Sequence, residues 1–166
     1  MINQVLKDLV RFEGYSPKPY LCPTGKITIG YGRNLENNGI SKKEAEILLF
    51  FDVKNVIAQL DRKLNFWIKQ PAAVRIVLMQ MAFQLGVNGL LSFQKFISAL
   101  MSSEYEKAID EMKDSIWAKQ TPERVIKLSE YLKNIDKYEH LKKYQNENIR
   151  MLNEIENNIT SFSLFE

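Results

Sequence analysis

The apolar residues Ile2, Val5, Leu6, Leu9 and Val10 recur at three- and four-residue intervals, which predicts a short amphipathic helix over residues 3–13, opened by Asn3 and closed by Gly14 in left-handed conformation. The stripe's next position is Glu13, three residues after Val10 and four after Leu9, so a carboxylate is expected where the helix presents its buried face. Partial burial and the negative end of the helix dipole would both favour its protonated form. From Lys18 to Arg33 the period changes to two, with Lys26, Thr28 and Gly30 on one face and Ile27, Ile29 and Tyr31 on the other. The stretch CPTG suits a β-turn with Cys22 first, Pro23 second and Gly25 fourth, giving a hairpin with Cys22 at its tip. Gly30 and Gly32 remove side chains from the returning strand and leave room for a group to approach its backbone.

The stretch NLENNGIS then reads as a cluster of turns, and Ser41 with Glu44 forms a capping box. It opens a long helix carrying Ala45, Leu48, Val53, Val56, Ile57, Leu60 and Leu64, suited to connecting two lobes. Residues 71–86 start with proline, end with glycine and are apolar on nearly every side, as expected of a helix surrounded by others at the core of a larger lobe. Further helices are predicted over 93–101, from a Ser103 and Glu106 capping box to 115, and from Thr121 and Pro122 to 133. Residues 135–159 place Ile135, Tyr138, Leu141, Ile149, Leu152, Ile155 and Ile159 at imperfect helical spacing, and TSFSLFE follows. The expected class is α+β, mostly α.

Composition adds mainly exclusions. A chain of 166 residues, 45% hydrophobic and 26% charged, is one domain's worth of soluble protein. Its single cysteine rules out an intramolecular disulfide and a zinc site of several thiolates, and no metal or cofactor is called for. Lys7, Asp8 and Arg11 interrupt the first dozen residues, so no secretory signal is expected there. No later run is expected to reach the length of a transmembrane helix, so a cytoplasmic monomer without stable membrane insertion is the expectation. The net charge of +3 is spread without a run of like charges or a basic stripe with interleaved aromatics, so nucleic acid is not the expected partner.

Taken singly, the candidate residues are ambiguous. Glu13 reads as an acid or as a solvated helix-end glutamate, Cys22 as a reactive thiol beside Lys18 and Lys26 or as a small inert hydrophobe, and Thr28 as a good strand residue. Arg124 falls in the first turn of a helix, where the dipole disfavours a cation, so a carboxylate partner is expected for it.

Together they are specific. Glu13, eight residues, Cys22, five residues, Thr28 and then IGYG resemble the active-site hairpin of the phage-type lysozymes, glycoside hydrolase family 24. AFQLG at 82–86 and WAKQTPERV at 117–125 resemble motifs of that family's C-terminal lobe, in the right order, so the resemblance covers residues 1 to about 133. It implies a lysozyme-like two-lobed fold: a small lobe over about 12–45 with the helix 3–13, a helical lobe over about 65–133, and a divergent tail over 134–166. It implies a muramidase acting on peptidoglycan, with Glu13 as general acid and Thr28 holding the attacking water. By the same resemblance Arg124 neighbours the glutamate, while Phe83, Gln84, Tyr31 and Asn34 contact substrate. Phe83 and Gln84 read equally well as core residues, and Trp117 better as core. His140, in the tail, reads as a surface residue.

Three departures stand out. Aspartate is usual where Cys22 stands, with cysteine a variant among relatives. Arg33 stands where a histidine is usual, and a short segment between hairpin and long helix predicts a reduced small lobe. A thiolate at Cys22 would act as base or nucleophile. A lytic transglycosylase, using one glutamate and no water, and a noncatalytic wall-binding protein are the competing readings. A phage-type enzyme is expected to accumulate in the host cytoplasm and to reach the wall through a lesion made by a separate holin-type protein.

Overall fold

The computed structural model describes residues 1–143 together with Arg150, Glu154 and Asn157. The expected features of the remaining tail, Ile149, Leu152, Ile155, Ile159 and TSFSLFE, lie outside the described residues. The fold is α+β and predominantly helical, with two compact units, Met1–Leu48 with Arg150–Glu166 and Leu49–Ile149.

The first unit opens with helix α1 (Ile2–Glu13), closed by the Gly14 N–H donating to the Val10 carbonyl. Gly14 has φ 68° and ψ 168°, so the helix ends in an extended conformation with positive φ rather than the left-handed helical one expected. No residue of α1 is buried: Ile2, Val5 and Leu9 are exposed and Leu6 and Val10 half-buried. The expectation that Glu13 prolongs a buried stripe is therefore corrected, and residue 13 is exposed. Among the described residues of Met1–Leu48 only Thr28 is buried, so none of those residues offers the stripe an apolar core to pack on.

Strands β1 (Ser16–Leu21), β2 (Ile27–Gly30) and β3 (Arg33–Asn34) form an antiparallel sheet in that order. Pro17 and Pro19 lack backbone donors and are tolerated because β1 is an edge strand, whose register with β2 slips between Ser16↔Gly30 and Tyr20↔Thr28. The turn forms as its chemistry predicts: the Gly25 N–H donates to the Cys22 carbonyl at 2.8 Å and the Cys22 N–H to the Lys26 carbonyl at 3.0 Å. Strand β3 and the short helix α2 (Leu35–Asn38) replace the expected turns. Two and four residues are too few to show a period, and α2 forms because the Asn34 side-chain oxygen accepts the Asn37 N–H at 2.9 Å.

Two carboxylates fasten these pieces. Glu36 accepts from Lys26 Nζ at 3.0 Å and from the Ile27 N–H at 3.1 Å, tying α2 to β2. Glu44 accepts from the Ser41 N–H and hydroxyl, both at 2.7 Å, completing the capping box, and from both terminal nitrogens of Arg33, at 2.8 and 3.2 Å. These donors hold both carboxyls below the usual carboxylate range, chiefly the Ile27 N–H for Glu36 and the Ser41 hydroxyl for Glu44. Their contribution to folding is complete above the ordinary carboxylate pKa and disappears as pH falls through the lowered values.

Helix α3 (Lys42–Lys63) runs from the first unit into the second, where it buries Val56 and Leu60. The second unit is built on α4 (Ala72–Leu91), followed by α5 (Gln94–Met101), α6 (Tyr105–Lys113), α7 (Ile116–Gln120), α8 (Pro122–Lys133) and α9 (Ile135–Tyr138). Helix α4 is long and apolar enough to cross a membrane by length and composition, a correction to the expectation that nothing in the chain would be. Its apolar sides are covered by protein: Val74, Val77, Leu78, Met81 and Leu90 are inaccessible and belong to the same core as Leu60, Leu100 and Leu128. Gly86 interrupts it at φ 71° and ψ 156°, a combination open essentially to glycine alone, so the regular helix ends where the sequence predicts and resumes at Val87. Trp67, in a 3₁₀ turn over Trp67–Lys69, donates to Asp61 at 2.8 Å and lies 5.0 Å beneath the guanidinium of buried Arg75. Glu139 accepts the Ala72 N–H at 2.9 Å at the start of α4.

Helix α7 was not predicted; its five residues are nucleated by the Ser115 hydroxyl, which accepts the Ala118 N–H at 3.0 Å. The predicted Ser103–Glu106 capping box does not form. Ser103 instead closes α5 at φ 57°, with its N–H donating to the Leu100 carbonyl at 3.1 Å and the Glu104 N–H to the Ala99 carbonyl at 2.8 Å. Those bonds are the paired closure of a left-handed helix end, a conformation that penalises a residue with a Cβ by about 1 kcal/mol. Ser103→Gly is expected to stabilise the protein by up to about 1 kcal/mol, measured by urea unfolding; an unchanged or lowered midpoint contradicts this reading of the turn.

Candidate functional site

Within the first unit, Glu13 closes α1 and its carboxylate lies against the turn between β2 and β3. A Cβ placed on Gly32 would stand 2.6 Å from Glu13 Oε2 and 3.2 Å from its carboxyl carbon, so this carboxylate occupies the space that a side chain at residue 32 would take. Gly32 also has φ 74°. Of the two glycines expected to leave room, Gly32 does so for Glu13, while a Cβ on Gly30 would meet nothing within 4 Å. Within this unit, among the described residues, no hydrogen bond or ion pair fastens the Glu13 carboxylate. The backbone of the turn is the wall it rests on.

Cys22 is half-buried in the hairpin turn, its sulfur 3.0 Å from the Thr24 hydroxyl. That contact, then the Lys26 backbone donor, with smaller help from the Thr24 backbone and Thr28 hydroxyl and against a small opposing effect of burial, lowers the thiol from its ordinary value to about 7. Hydrogen bonds therefore replace the lysine charges as the source of thiolate character. Lys26 is engaged by Glu36 instead, and Lys18 is not among the causes. At neutral pH about half of such thiols are ionised.

Thr28 is buried in β2, paired with Tyr20 on one side and Asn34 on the other, and its hydroxyl donates to the Lys26 carbonyl at 3.1 Å. Tyr31 is exposed, with its ring 5.3 Å from that of Tyr15. The Asn34 carbonyl oxygen is committed to capping α2, which leaves its amide NH₂ to face another group.

The other candidates belong to the second unit. Phe83 and Gln84 are both exposed, Phe83 at 42%, so neither is a core residue. Phe83 lines a groove of this unit with Val53, Val56, Ile76, Met79 and Arg124. Arg124 is exposed in the first turn of α8, and among the described residues of this unit no carboxylate pairs with it. Trp117 is buried and packs edge to face on Phe93 at 6.2 Å, as a core residue. His140 is exposed. The described residues contain no cluster of three or more acidic, histidine or cysteine side chains suited to a metal.

Sequence reasoning missed Thr24, the largest influence on Cys22, and the pairing of Arg33 with Glu44. A hydroxyl two residues after a turn cysteine was a legible signal; an ion pair across eleven residues and two elements was not.

The family model described as phage lysozyme matches residues 10–131 of the chain. The pre-baseplate central spike protein Gp5 of Enterobacteria phage T4 is 30% identical over 105 residues, which cover 59% of this chain and 18% of that protein. A probable T4-type lysozyme 1 of Dictyostelium discoideum is 36% identical over 50 residues, 30% of this chain and 29% of that protein. The matched stretches thus span less than a third of either relative.

Alkylation of Cys22 by iodoacetamide is expected to accelerate with pH about a midpoint near 7. Thr24→Ala is expected to raise that midpoint, and a wild-type midpoint at the ordinary thiol value of about 8.5 would contradict the lowered pKa.

Proposed function

We propose that this chain, which belongs to the phage lysozyme family, hydrolyses the β-1,4 bond between N-acetylmuramic acid and N-acetylglucosamine in peptidoglycan and so lyses the host cell. The observation that carries this reading is the Glu13 carboxylate at the end of α1, seated on the backbone of a sheet whose turn holds a thiol with a pKa of about 7. Glycoside hydrolysis needs an acid for the leaving oxygen and a second group for the anomeric carbon. Glu13 supplies the proton: it is exposed, unfastened within its unit, and backed by a wall that limits where it can point.

Cys22 supplies the second group as its thiolate. Acting as a base, it takes a proton from water, which attacks from the face opposite the leaving group and inverts the anomeric carbon. Acting as a nucleophile, sulfur forms a glycosyl thioether that water then cleaves, with retention. Family analogy favours inversion. Thr28, in β2 close enough to Cys22 to help lower its thiol, takes the water-positioning role that the family resemblance gives it. Tyr31 and the Asn34 amide contact the sugar, and the roles of Phe83, Gln84 and Arg124 in this reading rest on the family resemblance alone. The protein acts as a monomer, accumulates in the host cytoplasm and crosses to the wall through a lesion opened by a separate holin-type protein.

Glu13→Gln keeps shape and removes the proton. It is expected to reduce the release of reducing ends from purified sacculi by about a hundredfold or more, the scale of a lost general acid. Near wild-type release by this variant would remove Glu13 from the mechanism.

A further inference from the structure

From the fastening of the β2–β3 turn we infer that Arg33 is a positioning residue for Glu13, acting through the backbone of Gly32. The inference rests on the proposed role of Glu13 as acid. Gly32 is the wall behind the Glu13 carboxylate, and Arg33 is the next residue in the chain. Whatever fixes Arg33 therefore fixes where that wall stands.

Three bonds hold the Arg33 side chain. Its Nε donates to the Gly39 carbonyl at 2.8 Å, and its two terminal nitrogens donate to the separate oxygens of Glu44 at 2.8 and 3.2 Å. Glu44 is in turn held at the start of α3 by the Ser41 N–H and hydroxyl. The planar fork is filled on both edges, an arrangement that an arginine can make and a lysine cannot reproduce. The guanidinium therefore links the turn carrying Gly32, the end of α2 and the first turn of α3 as one assembly. Backbone pairing adds little at this point, because β3 has only two residues, with register pairs Thr28↔Asn34 and Ile29↔Arg33.

The geometry gives this fastening a catalytic consequence. With no hydrogen bond of its own within the unit, the Glu13 carboxylate depends on a steric wall for its direction. A general acid displaced by about 1 Å from the leaving oxygen loses up to about a hundredfold in rate. Arg33 does not touch the carboxylate, so its removal should act mainly on the chemical step, with a smaller effect on affinity through Tyr31 and Asn34 on either side of Gly32 and Arg33.

The test compares wild type, Arg33→Gln, Arg33→Lys and Glu44→Gln on purified sacculi, well below each variant's unfolding midpoint. Arg33→Gln and Glu44→Gln are expected to lower kcat about tenfold or more with a smaller change in KM, and Arg33→Lys to recover only part of the loss. The double variant Arg33→Gln, Glu44→Gln should fall no further than either single variant. Unchanged kcat in folded Arg33→Gln, or additive losses in the double variant, would overturn the inference. The carboxyl carbon of Glu13, followed by NMR on isotopically labelled protein, supplies a readout that does not need turnover. Its resonance is expected to move in Arg33→Lys while signals of α4 and α8 stay in place. A static Glu13 signal would overturn the positioning role. Sacculi left intact by wild type would instead count against the muramidase reading, and the NMR comparison would still decide the Arg33 question.

Discussion

The small unit is held by the carboxylates of Glu36 and Glu44, each of which binds a cation and a backbone N–H at once. Around them the described part of Met1–Leu48 buries only Thr28, a polar residue, so among those residues the polar clamps do this work. A three-stranded sheet with a two-residue third strand and two prolines in its first has little ladder to rely on. Polar clamps that neutralise one another's charge and satisfy backbone donors fix its shape. Both clamps are accessible to water, so this unit is expected to open locally at lower cost than the helical unit, where Leu60, Trp67, Leu78 and Leu100 are sealed from solvent.

That division of labour suits the chemistry. The helical unit gains its stability from buried apolar area and presents Phe83 and Arg124 along a groove of its own surface. In the small unit the backbone is left bare at Gly32, and the carboxylate of Glu13 takes the vacant volume. A side chain at residue 32 and a carboxylate at its present position are mutually exclusive. The thiol of Cys22 follows the same economy: it becomes acidic through donors of its own turn and needs no buried cation, leaving Lys26 to hold Glu36.

The features legible in the sequence were those whose causes lie within a few residues. The hairpin turn followed from Cys22, Pro23 and Gly25, the entry to α3 from Ser41 and Glu44, and the break in α4 from Gly86. Errors arose where one residue serves two neighbouring elements. Ser103 was read as the cap of α6 because a serine three residues before a glutamate fits that role, yet closing α5 takes it first. The stripe of α1 was read as buried because periodicity shows which face is apolar but not whether anything covers it. At the site, Glu13, Cys22 and Thr28 were singled out by the resemblance of their motif to the family's active-site hairpin. The Gly32 wall was half-read as open space, and the Arg33–Glu44 link that steadies it joins positions too far apart for any local pattern.

The most direct measurement of the central claim is the mass of the fragments released when fresh wild-type protein digests purified sacculi in heavy-oxygen water. Hydrolysis predicts muramic acid reducing ends that each carry one oxygen from the solvent. Anhydromuramic ends without solvent oxygen, or sacculi that stay intact, would contradict it.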